Sequence, residues 1–380
     1  MIAAMNFDYV VLPILIVAIG VAIAWFAIRR VLALPAKNYS QMRRWLEGVP
    51  LSLLALLAIA AAGTSGVNAI LLAVDRSHVP GQFYQVNGHT MRIDCMGSGE
   101  PTIVLDAGLG NDGFIWGGVQ PELAKTTRVC SYDRAGFGFS DALPGPRDAD
   151  HIAGELHGLL QAAGINGPIV LMGHSIAGIY IRDYATRYPA QIAGLIFVDG
   201  STPLQDMNPA FAKEMKMPTL LQVALVHLMY ASGIPRLHGI CSRKLPGFSA
   251  EAMKLLNADT CHPEFSSSLA EFRSMHRSGE ETAHTGPYGN LPILIFSQDT
   301  SAAAAQQPAD IRTAWDGMQE NLKKLSTRSR RIVAKGSGHY VQLNRRDLIL
   351  KEVPPFIAEI RNPAQAAQRD AASYGSTTTQ

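Results

Sequence analysis

The hydrophobic pattern changes character near residue 80 of the chain. Before it, two long runs, residues 9–28 and 48–74, are mostly apolar and contain no charged side chain. After it, short apolar runs of strand length alternate with stretches of helical period. This change predicts a membrane anchor over residues 1–80, with spans at about 9–28 and 49–74, followed by an α/β domain.

The charges beside the two apolar runs predict their orientation. The bases between them are Arg29, Arg30, Lys37, Arg43 and Arg44, whereas residues 1–8 contain no Lys or Arg. The positive-inside rule then places the connecting loop in the cytoplasm and the large domain on the periplasmic or extracellular side. A second interpretation treats the run after Arg44 as a signal peptide cleaved near Ala62, which also exports the large domain.

The rest of the chain alternates strand and helix patterns. Asn87-Gly88 predicts a hairpin turn between two alternating segments. Strands are predicted at 82–86, 90–96, 102–105, 127–132, 169–172, 195–198, 292–296 and 331–333, and helices at 150–163, 175–188, 312–325 and 341–360. This alternation favours a mostly parallel sheet flanked by helices. Residues 202–290 lack a clear strand and predict an inserted helical lid between two parts of a core, 81–201 and 291–362; residues 363–380 predict a disordered tail.

Charge and motif content exclude several functions. After residue 80 there are 27 Lys and Arg and 28 Asp and Glu, so the domain carries no basic footprint for nucleic acid. No Cys/His group has zinc spacing, and no dinucleotide fingerprint follows the first strand. Asp133–Gly138 resembles a phosphate loop but lacks its Gly-Lys pair. We therefore expect neither a metal nor a cofactor.

The most informative segment is Ile169–Gly178, where a buried strand ends at Gly173 and a helix begins just after Ser175. A serine on such a turn is held with its hydroxyl exposed above the sheet edge. The helix behind it favours developing negative charge. Ser175 is therefore the candidate nucleophile.

Four segments together resemble the α/β-hydrolase family, particularly its capped bacterial serine hydrolases, over about residues 82–362. They are Asp106–Gly110, Val129–Gly136, Gly173–Ser175 and Gly336–His339. One position departs from the family pattern, since Ala177 stands where a glycine usually follows the nucleophile by two residues. That departure puts the closeness of the helix–strand packing in doubt.

The resemblance implies a Ser-His-acid triad in the order Ser, acid, His. His339, in Gly-Ser-Gly-His, is the expected base. Asp299 and Asp199 each follow a strand at the appropriate edge, and the resemblance favours Asp299. By the same resemblance the oxyanion donors are the backbone N–H groups of Leu109 and Ile176.

The expected function is hydrolysis of carboxylic esters through an acyl-enzyme. The same groups also cleave amides, lactones and some carbon–carbon bonds, and a membrane-anchored binding protein on a hydrolase scaffold is the alternative outside enzymology. The substrate is expected to be a small or lipid-like apolar ester, because residues 218–230 are apolar around most of a predicted helix. A helix that merely covers the core explains this pattern equally well.

The cysteine pairing follows from the expected location and strand order. An oxidising compartment permits disulfides, and four cysteines allow three pairings. Cys95 and Cys130 lie on neighbouring strands if the family's strand order holds, whereas Cys241 and Cys261 both lie in the lid. We therefore expect Cys95–Cys130 and Cys241–Cys261, with packing as small free thiols as the alternative.

Overall fold

A computed structural model describes residues 11–35, 37, 39–75, 77, 79–143, 145–212, 216–261, 264–302 and 307–363. Outside these ranges lie the start of the first predicted span, residues 76 and 78, and nearly all of the predicted tail. The described residues form two compact units. The helical unit falls within 1–79, 218–243 and 254–263, and the sheet unit within 80–217, 244–253 and 264–380.

The sheet unit is built on eight strands in the order β1-β2-β4-β3-β5-β6-β7-β8. They are β1 Gln82–Val86, β2 His89–Met96, β3 Thr102–Asp106, β4 Val129–Tyr132, β5 Ile169–His174, β6 Ile192–Val198, β7 Ile293–Gln298 and β8 Ser329–Ala334. β2 pairs antiparallel with β1 and β4, and the other neighbours are parallel. The mostly parallel sheet is thus confirmed, and every strand overlaps a predicted one. At the predicted hairpin, Asn87 and Gly88 both have positive φ, at 52° and 80°.

Helices cover both faces of the sheet, which explains why the parallel strands are apolar at consecutive positions. Val104, Leu171 and Leu195 belong to a core cluster with residues of two helices, α4 and α5. Ile103 and Val170, on the opposite face, are also fully buried. The flanking helices are α3 Gln120–Leu123, α4 Ala149–Ala162, α5 Ala177–Arg187, α13 Ala309–Leu322, α14 Val341–Asn344 and α15 Arg346–Arg361.

The predicted lid contains helices and no strand in its described part, and it divides between the two units. Its helices are α6 Leu204–Met207, α7 Pro209–Ala212, α8 Leu220–Ala231, α9 Ile234–Leu237, α10 Ala250–Cys261, α11 Phe265–Arg273 and α12 Met275–Thr282. Helices α8 and α9 belong to the helical unit, whereas α11 and α12 belong to the sheet unit. The sequence predicts a single inserted lid, and its division between two units is a difference from that prediction.

Two long helices dominate the helical unit, α1 Leu12–Ala33 and α2 Gln41–Asp75. Both are long and apolar enough to cross a bilayer. Small residues let them approach closely: a Cβ built on Gly20 would lie 2.8 Å from the carbonyl oxygen of Ala58 and 3.0 Å from the Cβ of Ala62. Large apolar side chains such as Leu57 face outward. Close packing through small residues, with large ones outside, is typical of helices in lipid.

The structure pairs the four cysteines in the way expected from the sequence. Cys95 and Cys130 are directly opposite each other on β2 and β4, and their sulfurs are bonded. Cys241 is bonded to Cys261 at the end of α10. Each bridge lies within one unit.

Candidate active site

Ser175 lies on a sharp turn between β5 and α5. Its φ is 54°, in the left-handed region that few residues other than glycine adopt. The turn is held on both sides: the Ser175 N–H donates to the carbonyl of Val198, and its own carbonyl accepts from the N–H of Ser201 at 2.7 Å. Such strain persists only where surrounding contacts enforce it, and it exposes the hydroxyl at the sheet edge.

The close packing that Ala177 put in doubt is supplied by the next residue. A Cβ built on Gly178 would lie 2.7 Å from the carbonyl oxygen of Ser201 and 2.9 Å from the Cα of Gly200. Ala177 is itself fully buried. Helix α5 therefore reaches the loop after β6 at Gly178, one position beyond the usual glycine.

His339 links the serine hydroxyl to a buried carboxylate. Its Nε2 lies 2.9 Å from Ser175 Oγ, and its Nδ1 lies 2.6 Å from an oxygen of Asp199. Asp199 is fully buried, whereas the His339 side chain retains 32 % exposure. Strands β5 and β6 are adjacent, and the Val198 carbonyl at the end of β6 accepts the Ser175 N–H. Asp199 is the next residue after Val198.

The expectation that Asp299 orients His339 is wrong in this structure. The Asp299 carboxylate accepts hydrogen bonds from the Ser301 N–H and hydroxyl and from the Gly336 N–H. These bonds, the Gly336 one foremost, lower the pKa of Asp299. Asp299 thus closes the loops after β7 and β8, and the carboxylate beside His339 belongs to Asp199, the alternative kept open by the sequence.

Asp199 is fixed by donors on two further elements. Its second oxygen accepts 2.9 Å hydrogen bonds from the Gln298 backbone N–H and from the indole N–H of Trp315 on α13. The Trp315 ring also stands edge-on to the His339 ring, with centroids 5.5 Å apart. Sequence reasoning missed Trp315. The one available signal was that a buried indole needs an acceptor, without any indication of which one.

The two expected oxyanion donors lie beside the nucleophile. Ile176 begins the turn into α5, where helix N–H groups have no intrahelical acceptor. Leu109 packs against the apolar cluster that contains Ile176. A Cβ built on Gly108 would lie 2.7 Å from His174 Nδ1 and 3.3 Å from the Ser175 Cβ, so the loop after β3 can pass this close only with glycine.

Arg134 determines which way the Gly108–Leu109 peptide points. Its guanidinium donates to the carbonyls of Ala107 and Gly108, at 2.5 and 3.0 Å. In a planar trans peptide the N–H points opposite to the C=O. Since the Gly108 carbonyl points at Arg134, the Leu109 N–H is directed away from it.

Two buried carboxylates balance the charge of Arg134. Its remaining N–H groups bind both oxygens of Glu271 on α11 and one oxygen of Asp106. Burial would lower the pKa of the guanidinium, but Glu271 and Asp106 outweigh it and the pKa is raised well above the usual value. This network holds Arg134 beneath the loop after β3, and nothing in the sequence pointed to Glu271.

His174 packs behind His339. Its Nε2–H donates to the carbonyl of His339 at 3.1 Å, and the two rings are 4.7 Å apart. Its Nδ1 has no hydrogen-bond partner among the described residues and faces Gly108. Burial, and to a lesser degree the nearby His339, lowers the pKa of His174 well below its usual range, so the ring stays neutral.

Within the described ranges, no three His, Cys, Asp or Glu side chains are grouped so that they could hold a metal ion. The polar groups around Ser175 are instead a hydroxyl, an imidazole, a carboxylate and backbone N–H groups. That set is suited to acyl transfer.

A family model for the alpha/beta hydrolase family matches residues 103–352, and the chain belongs to that family. An esterase from Thermogutta terrifontis has the same fold, at a TM-score of 0.56 and 20 % identity, covering 74 % of this chain and 99 % of the esterase. An enol-lactonase from Burkholderia xenovorans LB400 matches at a TM-score of 0.53 and 20 % identity, covering 73 % of this chain and 100 % of the lactonase. At such identities the likeness shows the fold.

Among curated relatives, the uncharacterized protein YqjL of Bacillus subtilis is 27 % identical over 248 residues, which are 64 % of this chain and 79 % of YqjL. Other relatives are matched over only part of their length: 39 % of a probable transporter of Hormonema carpetanum, 16 % of an uncharacterized Schizosaccharomyces pombe protein and 39 % of YbdG of Bacillus subtilis. The chain thus spans less than half of the length of these three relatives, and its activity and substrate have to be argued from the site.

Proposed function

We propose that this chain is a serine hydrolase of carboxylic esters, with Ser175, His339 and Asp199 as its catalytic triad. The observation that supports the proposal is the continuous line of hydrogen bonds from Ser175 Oγ through His339 to Asp199. In this line Ser175 takes the role of nucleophile, His339 that of general base and Asp199 that of orienting acid, which are the three roles that acyl transfer requires.

In the proposed reaction, Ser175 Oγ attacks the ester carbonyl carbon while His339 Nε2 takes the hydroxyl proton. The Leu109 and Ile176 N–H groups stabilise the oxyanion that forms. His339 then gives its proton to the leaving alcohol, which leaves an acyl-Ser175 ester. Water, deprotonated by the same His339, releases the acid and restores the serine. Asp199 holds the ring with Nδ1–H toward it and stabilises the imidazolium that forms twice per cycle.

We also propose that α1 and α2 anchor the protein in a membrane, with the sheet unit on the periplasmic or extracellular side. Three observations support this location: the two apolar helices, the basic residues between them and two disulfides. Disulfides form and persist mainly outside the cytoplasm.

The decisive experiment is labelling with a fluorophosphonate probe, which reacts with activated serines. We expect covalent labelling of the wild-type protein at Ser175, and none in Ser175→Ala. A folded protein that neither labels nor hydrolyses any acyl ester would instead support a binding protein on a hydrolase scaffold.

The substrate is proposed to be an apolar acyl ester. A p-nitrophenyl series from acetate to laurate, with a lactone and an anilide as comparison substrates, tests the class. We expect kcat/KM to peak at a chain longer than acetate. Efficiency that falls steadily from acetate, without dependence on detergent or vesicles, would contradict the apolar substrate and leave the esterase proposal standing.

A further inference from the structure

Helix α8 exposes more apolar side chain than an aqueous surface normally carries. Leu220, Leu221, Leu225 and Leu228 are 83 %, 68 %, 56 % and 47 % exposed, and Ala231 is the only residue of this helix that is buried. The helix contains no Asp, Glu, Lys or Arg, and its one histidine is His227. A helix that merely covers a core would bury such a stripe instead. The exposed face therefore requires an apolar partner.

Two polar side chains of α2 hold the end of α8. Ser65 Oγ donates to the carbonyl of Ala231 at 2.8 Å, and the Asn68 amide donates to the carbonyl of Tyr230 at 3.1 Å. Both α2 side chains are at least 98 % buried. The last carbonyls of a helix have no intrahelical donor, and in lipid no water can replace one. Ser65 supplies this donor for Ala231, and Asn68 adds a second hydrogen bond to the Tyr230 carbonyl, which also accepts from the Gly233 N–H.

The turn after α8 is fitted to the same helix. Gly233 has a φ of 79°, and a Cβ built on it would lie 2.8 Å from the Thr64 carbonyl oxygen. Arg236, on α9, then donates to the Asn68 side-chain oxygen at 3.1 Å and to Asp75 at 3.2 Å. The segment after α8 thus contacts α2 near Thr64 and again at Asp75, the last residue of α2.

These contacts give the depth of the C-terminal end of α8 along α2. Ser65 and Asp75 are ten residues apart, about 15 Å along a helix. That is about half of a hydrocarbon core of roughly 30 Å. The α2 side chains at this level, Val67 and Ile70, are 56 % and 64 % exposed and apolar. The exposed face of α8 therefore continues the outward apolar surface of α2.

We propose that α8 is embedded in the outer half of the bilayer that α1 and α2 span, with its exposed leucines in contact with lipid acyl chains. The inference rests on the proposed membrane anchorage. At 12 residues, about 18 Å, the helix is too short to span, so it enters the membrane and returns on the same side. The charged pair Arg236–Asp75 lies where the chain leaves the lipid.

Acyl-chain nitroxide quenching in proteoliposomes tests this placement. Because all four native cysteines are paired, one introduced cysteine takes an environment-sensitive fluorophore selectively. Leu225→Cys is the test site, with Leu221→Cys as its replacement if that variant misfolds. Ile19→Cys, at an exposed position on α1, reports the anchorage, and Lys351→Cys, whose side chain is 77 % exposed in the sheet unit, is the aqueous control.

We expect phosphatidylcholine carrying an acyl-chain nitroxide to quench the labels on residues 225 and 19 about twofold or more and to leave residue 351 unchanged. Quenching at 19 without quenching at 225 would overturn the inference and leave the anchorage standing. No quenching at 19 would overturn the anchorage as well. Copper-catalysed cross-linking of Leu225→Cys between chains would show that a second copy covers the face, which also contradicts the inference. Hydrolysis of p-nitrophenyl butyrate by each sample reports on the esterase proposal separately.

Asn68→Leu tests the mechanism of docking, because leucine keeps the volume and removes both hydrogen bonds. We expect acyl-chain quenching of the Leu225→Cys label to fall about twofold as α8 leaves its position. Val67→Leu, an exposed apolar exchange on the same helix, is the matched control and leaves quenching unchanged. Equal quenching in both variants would show that the α2 side chains do not hold α8.

Discussion

At the residue scale, the proposed triad depends on Asp199 as the carboxylate that orients the His339 ring. Asp199→Asn should lower kcat for p-nitrophenyl butyrate by about 10⁴, because the amide no longer holds the correct ring tautomer or stabilises the imidazolium. Asp299→Asn, its matched control, should change kcat only a few-fold, because Asp299 binds backbone groups of the loops after β7 and β8. The reverse order of effects would refute the assignment of Asp199.

His174 predicts a pH dependence of stability. Its pKa is lowered in the folded protein, mainly by burial, whereas an unfolded histidine titrates near 6.5. Below about pH 6.5 the unfolded chain therefore binds a proton that the folded chain does not. The free energy of unfolding should then fall with falling pH, by up to about 1.4 kcal/mol per pH unit from this group.

Urea midpoints in detergent at pH 7 and pH 5.5 measure this loss. His174→Gln removes the titrating group, so its loss between the two pH values should be smaller than that of the wild type by about 1 kcal/mol. Equal losses in the two proteins would mean that His174 is protonated alike in the folded and unfolded states.

Ser175 and His339 could be recognised from the sequence because each lies in a local motif that has its own turn. The acid could not be chosen in this way, since Asp199 and Asp299 both follow strands that end at the same edge. What separates them is tertiary: Asp199 lies beside the serine turn and under Trp315, while Asp299 has Ser301 two residues on, a local turn partner.

At the element scale, the loop after β3 depends on Arg134 for its direction. Arg134→Lys should lower kcat about 10²-fold with little change in KM, because an ammonium cannot donate to both loop carbonyls and both carboxylates. The Leu109 N–H then loses its fixed direction. Steady-state kinetics on p-nitrophenyl butyrate measure the separation of kcat from KM.

Arg147→Lys is the control for this experiment. Arg147 forms a buried pair with Glu155 of α4, so its replacement should lower the thermal midpoint and leave kcat nearly unchanged. A similar fall of kcat in both variants would attribute the effect to general loosening of the fold.

The elements themselves were largely predictable, because buried parallel strands and amphipathic helices leave clear periods in the sequence. The environment of α8 was not. A helix that is apolar all round fits a core or a lipid surface equally well. Its contacts with α2, among them those of Ser65 and Asn68 with its last carbonyls, assign it to the helical unit.

At the scale of the whole molecule, the basic loop predicts the orientation in the membrane. Alkaline phosphatase, which is active only when exported, should be active when fused after residue 81 and inactive when fused after Lys37, because positive loops stay in the cytoplasm. Activity assays on cells that express equal amounts of the two fusions make the comparison. The opposite pattern would reverse the proposed location of the sheet unit.

The packing of Gly178 determines which substitutions the chain can accept during evolution. Ala177→Gly would give the Gly-x-Ser-x-Gly motif that is common in the family, and it would cause no steric clash. Any side chain at position 178 would push α5 from Ser201, whose N–H holds the serine turn. A substitution of Gly178 would therefore be accepted only after the loop that follows β6 had changed. A search for the plain Gly-x-Ser-x-Gly string would overlook this chain, although the same steric demand is met one residue later.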